Sequence, residues 1–97
     1  MNAYFQQGDE LFFSGAELPK GAKKFPSGIL MKSPVTGHAH RAKKGQVYRT
    51  ETDRFVKGPA IIAHEEHGDL MLPKGIYAVK TVQEYDHLTE ESRSVID

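Results

Sequence analysis

The chain of 97 residues contains no cysteine, and that single absence removes disulfides, thiolate ligands, iron–sulfur clusters and cysteine nucleophiles together. Any metal it binds must be held by imidazole and carboxylate. Long apolar runs are missing too, so no stretch reads as a helix that crosses a bilayer. The opening Met1-Asn2-Ala3-Tyr4-Phe5-Gln6-Gln7 has neither the basic start nor the apolar run of a signal peptide. The expectation is a cytoplasmic protein with no membrane partner. A glycine-rich phosphate loop, a nucleophile elbow and a helical zinc-protease motif are also lacking, and helical periodicity is confined to the tail, where Thr89 could cap a turn beginning Glu90-Glu91.

What is present is regular punctuation. Gly8-Asp9, Pro19-Lys20-Gly21, Pro26-Ser27-Gly28, Pro34, Gly37, Gly45, Gly58-Pro59, Gly68-Asp69 and Pro73-Lys74-Gly75 leave only short segments between them. Glu10–Phe13, Ile29–Met31, Gln46–Arg49, Ala60–His64, Leu70–Leu72 and Ile76–Val82 have strand length and strand composition. In the last of these Tyr77, Val79 and Thr81 share one face and Ile76, Ala78, Lys80 and Val82 the other, and both faces are partly apolar, as in a central strand. Closely spaced short strands predict an all-β fold, a small single-domain β-barrel or sandwich over residues 1–97, ending in an acidic tail or helical turn over 86–97. A chain this short buries a modest core, so a metal, a partner subunit or barrel closure would add to its stability.

Formal charge is zero but unevenly spread. Lys20, Lys23, Lys24, Lys32, Arg41, Lys43 and Lys44 occupy a segment without Asp or Glu, whereas Glu84, Asp86, Glu90, Glu91 and Asp97 face only Arg93 at the C-terminus. One copy's tail, with apolar Val95 and Ile96, could complement another copy's basic segment, which predicts a homo-oligomer. The basic segment could instead meet a small-molecule or anionic ligand. Aromatic residues do not interleave with these charges, which argues against a nucleic-acid partner.

The chemistry sits in two clusters, Thr36-Gly37-His38-Ala39-His40-Arg41 and Ala63-His64-Glu65-Glu66-His67-Gly68, which hold four of the five histidines. His87, beside Asp86, reads as exposed. On an extended strand His38 and His40 would offer imidazoles from one face. His64 and His67, three apart before Gly68-Asp69, would converge at a strand end entering a turn. The four imidazoles are the candidate metal ligands, for a divalent transition metal: zinc, iron, nickel or copper. Glu65 and Glu66 are candidates for a further ligand, a general base, or acceptors that fix the imidazole tautomers. Glu66 is favoured, because it would share the face of His64 if the strand continued that far.

Gly37-His38-Ala39-His40, a later histidine and the Pro73-Lys74-Gly75 turn resemble the cupins, β-barrels that commonly hold a metal with an H-x-H pair, a glutamate and a later histidine. Arg41-Ala42-Lys43-Lys44 stands where that family carries its glutamate. The fuller pattern, Gly37-His38-Ala39-His40, His64-Glu65-Glu66-His67, Leu72-Pro73-Lys74-Gly75-Ile76-Tyr77 and Glu84-Tyr85-Asp86, also resembles small uncharacterised bacterial or phage-borne proteins, from about Gly8 to the C-terminus. That resemblance implies that the clusters form a unit and implies no activity. Three functions are compatible with these features: a metal-binding β-barrel, catalytic or not; a self-associating assembly or accessory subunit, phage-derived or not; and an anion or nucleic-acid-binding module.

Overall fold

A computed structural model describes residues 4–32 and 37–85. Seven antiparallel strands form one sheet: β1 (Tyr4–Gln7), β2 (Glu10–Phe13), β3 (Lys23–Lys24), β4 (Ile29–Lys32), β5 (Ala39–Arg49), β6 (Arg54–Ala63) and β7 (Leu70–Thr81). Their order is β1-β2-β7-β6-β5-β3, with β4 paired to the other end of β5. The all-β expectation holds. The closed barrel does not, because the sheet path ends at two edges instead of returning on itself. Among the described residues, no helix is long and apolar enough to cross a membrane. The acidic tail over 86–97, with the Thr89 cap, His87 and the Val95-Ile96 tip expected to drive self-association, lies outside the described residues, as does Pro34.

Alternation along the strands sets the core. Phe12 pairs with Val79 and Val79 with Arg54, while Tyr77 pairs with Val56 and Val56 with Val47. Cross-strand partners share a face, so these rows meet Leu30, Ala60, Ile62 and Leu72 in a single buried cluster. β7 lies between β2 and β6, the central position its two-faced pattern predicts.

Two sequence breaks are not turns. Pro73-Lys74-Gly75 lies inside β7 and Gly58-Pro59 inside β6, opposite one another: Gly58 pairs with Gly75 and Ala60 with Leu72, so Pro59 alone faces Pro73 and Lys74. This is a two-against-one bulge. Gly58 packs so closely on the Pro73 carbonyl that a Cβ would collide with it. The expected segments Leu70–Leu72 and Ile76–Val82 are therefore one strand. At its end, Thr81 and Glu84 cap a helical turn over 82–85 reciprocally: Glu84 N–H donates to the Thr81 hydroxyl at 3.0 Å and Thr81 N–H to Glu84 Oε1 at 2.8 Å.

The open side of the sheet is bridged by side chains. Arg54 Nη1 donates to Glu10 Oε1 at 2.6 Å and to the Leu30 carbonyl at 3.2 Å, joining β6, β2 and β4. Arg49 Nη2 reaches the Ile29 and Leu30 carbonyls, each at 3.0 Å, and its guanidinium stacks on Phe25. Glu10 is fully buried, and its Oε2 has no partner among the described residues. Burial pushes its carboxyl up to about 7, against the opposing pull of the Arg54 hydrogen bond and charge. A raised folded-state value means that the folded protein holds this proton more tightly than the unfolded chain does. The stabilisation is therefore complete below the ordinary value of 4.5 and is lost as pH rises to about 7. The size of the shift corresponds to about 3 kcal/mol. Melting temperatures of the wild type and Glu10→Gln compared from pH 4 to pH 8 should show the wild type losing ground to the variant as pH rises. A constant difference would contradict the assignment.

Candidate metal centre

The two histidine clusters come together because the start of β5 and the end of β6 are neighbours in the ladder, with Arg41 opposite Ala63. His38 immediately precedes β5 and His40 is its second residue. β6 ends at Ala63, so His64 to His67 run around the bend that follows. Ring centroids are 4.3 Å apart for His40–His64, 4.7 Å for His64–His67, 5.8 Å for His38–His64 and 6.3 Å for His40–His67. The four imidazoles form one cluster with His64 at its centre.

The strand end at Ala63 removes the premise that favoured Glu66, since 64–67 do not continue the alternation. Ligand atoms of His38, His64 and Glu65 lie within 4.8 Å of one another, and Glu65 is the carboxylate of that triad. Its Oε2 accepts the Ala39 N–H at 2.9 Å, and this hydrogen bond holds the carboxyl below its ordinary range. Glu66 has a different place: its Oε1 lies 2.8 Å from His38 Nδ1. A proton on Nδ1 donated to that carboxylate is the arrangement in which a carboxylate orients a metal-binding imidazole. His64 Nδ1 accepts the Glu66 N–H at 3.1 Å, which puts the neutral ring's proton on Nε2. To coordinate through either nitrogen, His64 must give up that bond.

His40 is the buried member. Its Nδ1 lies 2.9 Å from Gln7 Oε1 and its Nε2 3.1 Å from Asp9 Oδ1. Burial lowers its pKa, opposed by the bond to Asp9. Gln7, also buried, donates from Nε2 to the Ile62 and Gly68 carbonyls, each at 2.8 Å. Both ends of the 63–67 bend are thus tied to β1. Between Gln7 and Asp9, Gly8 adopts φ +57°, and an added Cβ would lie 2.5 Å from His67 Nε2. Only glycine lets this turn pass so close to the imidazole.

Sequence reasoning found the four histidines and both glutamates but missed Gln7 and Asp9. Their one local signal was that they flank the Gly8 turn; their role depends on a hairpin folding over chain 31 to 61 residues away. Beside the triad a cleft of about 280 Å³ is lined by Ala39, Arg41, Lys43, Ala63, His64 and Glu65. Lys43 is anchored there by Asp69 at 2.8 Å.

Residues 6–82 match the family model of a domain of unknown function, DUF8820, and the chain belongs to that family. The matched span takes in the Gln7–Asp9 turn and both histidine clusters. No curated protein and no solved structure matches the chain, cupins included.

Replacing Gln7 by leucine should remove the partner of the buried Ile62 carbonyl and of one His40 nitrogen, and should release the exposed Gly68 carbonyl to water. At about 1–3 kcal/mol for a buried polar group left unsatisfied, we expect a loss of about 2–4 kcal/mol in urea denaturation. A change under about 0.5 kcal/mol would show that the amide does not hold the bend.

Proposed function

We propose that this protein binds a divalent transition metal through His38, His64 and Glu65 within the four-imidazole cluster. The reading rests on one observation: donor atoms from two separate chain segments, two imidazoles and a carboxylate, lie within 4.8 Å of one another. Donor atoms on one zinc ion at about 2.1 Å stand about 3.4 Å apart, so the triad is a side-chain adjustment away from ligand spacing. The nitrogen and oxygen donor set suits zinc, iron, nickel and copper alike. In this reading Glu66 orients His38, and Glu65 is a ligand rather than a general base, since the Ala39 N–H weakens it as a proton acceptor. A coordination position left open by three protein ligands would face the cleft that Arg41 and Lys43 border. A small anionic ligand suits that position.

The test is metal analysis of the full chain purified without an affinity tag, followed by zinc titration. His38→Ala, His64→Ala and Glu65→Gln should each weaken zinc binding at least tenfold. Affinity should fall as pH drops through the ordinary imidazole range, because protons compete for the ligand nitrogens. Zinc binding that survives all three substitutions, or is unchanged well below that range, would exclude the triad.

A further inference from the structure

Asp9, in the turn between β1 and β2, belongs to neither histidine cluster, yet it faces the most buried imidazole. We propose that His40 Nε2 and Asp9 Oδ1 share a divalent transition cation at a second position beside the triad, so that the centre holds two cations. This rests on the metal-binding reading and extends it with a ligand from a third chain segment.

The argument begins with Gln7. Its amide cannot be turned over, because Nε2 donates to two main-chain carbonyls, Ile62 and Gly68. Oε1 therefore faces His40 Nδ1 as an acceptor, 2.9 Å away, and Nδ1 carries the ring proton. A neutral ring then presents a lone pair at Nε2, and what stands 3.1 Å from it is another electron-rich atom, a carboxylate oxygen of Asp9. A cation between the two satisfies both. Nitrogen and oxygen donors on one such ion stand about 3–3.4 Å apart, which is the separation found.

The ring is also in the condition expected of a ligand. Its non-coordinating nitrogen is held by a fixed acceptor, which sets tautomer and orientation before any ion arrives. Asp9 is 68 % exposed at its side chain, so water could complete the coordination. Across the same turn the His67 ring packs on Gly8 with Nε2 nearest, 6.3 Å from the His40 ring and nearly parallel to it. The position is distinct from the triad's, since neither His40 nor Asp9 belongs to the group of donors that meet within 4.8 Å. His64, next to both His38 and His40, lies between the two positions.

The experiment is zinc stoichiometry. The untagged full chain is stripped with chelator, reloaded with Zn²⁺ alone, dialysed and analysed for zinc per chain, for the wild type, Asp9→Asn and His38→Ala. Two ions are expected for the wild type and one for each variant. Two ions, or one, bound equally by wild type and Asp9→Asn would overturn the second position, and the triad would stand if His38→Ala then lowers the count. One ion lost in Asp9→Asn but kept in His38→Ala would support the His40–Asp9 position and remove the triad. No zinc in the wild type would overturn both. If Asp9→Asn does not fold, ¹⁵N NMR of the zinc-loaded wild type decides. A His40 Nε2 that carries a proton hydrogen-bonded to Asp9 overturns the proposal, and a zinc-coordinated Nε2 supports it.

Discussion

The guanidinium of Arg54 holds this fold together where its backbone does not. The hydrogen-bond ladder runs from β1 to β3 and stops at both edges, yet the inner face of the sheet is buried. One side chain closes that gap by contacting a carboxylate on β2 and a carbonyl on β4 at once. The partner carboxylate is fully buried with one oxygen unpaired among the described residues, so the arrangement is costly, and a hydrophobic substitute of equal volume would fill the same space without that cost. An apolar contact, however, has no direction. The forked guanidinium fixes where β4 lies relative to β2, and β4 in turn flanks the start of β5, where His40 sits. Glu10 is also the cross-strand partner of Gln7 and the neighbour of Asp9, so the Arg54 contact bears on the same hairpin that faces His40.

A second polar element acts from the paired position on the same hairpin, Gln7 standing opposite Glu10. Gln7 ties β1 to the end of β6 and to Gly68, and through its carbonyl oxygen it orients His40. Core packing sets the layers of this small domain, and two buried polar residues set the register of what lies on top of them. That division of labour follows from chain length, because a modest apolar core leaves directional bonds a larger share of the specification.

Much of this was legible in the sequence, and the failures have physical causes. β2 could be read residue for residue from its bounding turn and its apolar run. The sequence splits β7 into two strands, because Pro73-Lys74-Gly75 has turn chemistry; no local pattern reveals that Gly58-Pro59 stands across from it, where two breaks combine into one bulge within a continuous ladder. The closed barrel failed because strand lengths say nothing about whether the last edge finds the first. For the site, pairing of histidines carried the information that a single histidine lacks. The choice between Glu65 and Glu66 turned on where β6 stops, a boundary that local sequence places to within a few residues at best. Gln7 and Asp9 were invisible because nothing in a Gln-Gly-Asp turn announces the buried imidazole that the folded hairpin brings to it.

The clamp that Gln7 places on the bend after β6 fixes both ends of a segment that lies largely outside the core. The amide grips Ile62 and Gly68, and the residues between them, His64 to His67, are half-buried or exposed. They take little part in the core. The bend is a segment with fixed ends, so its side chains can be exchanged while Ile62 and Gly68 stay tied to β1. A protein built this way can change the side chains of one bend without first having to re-solve how it folds.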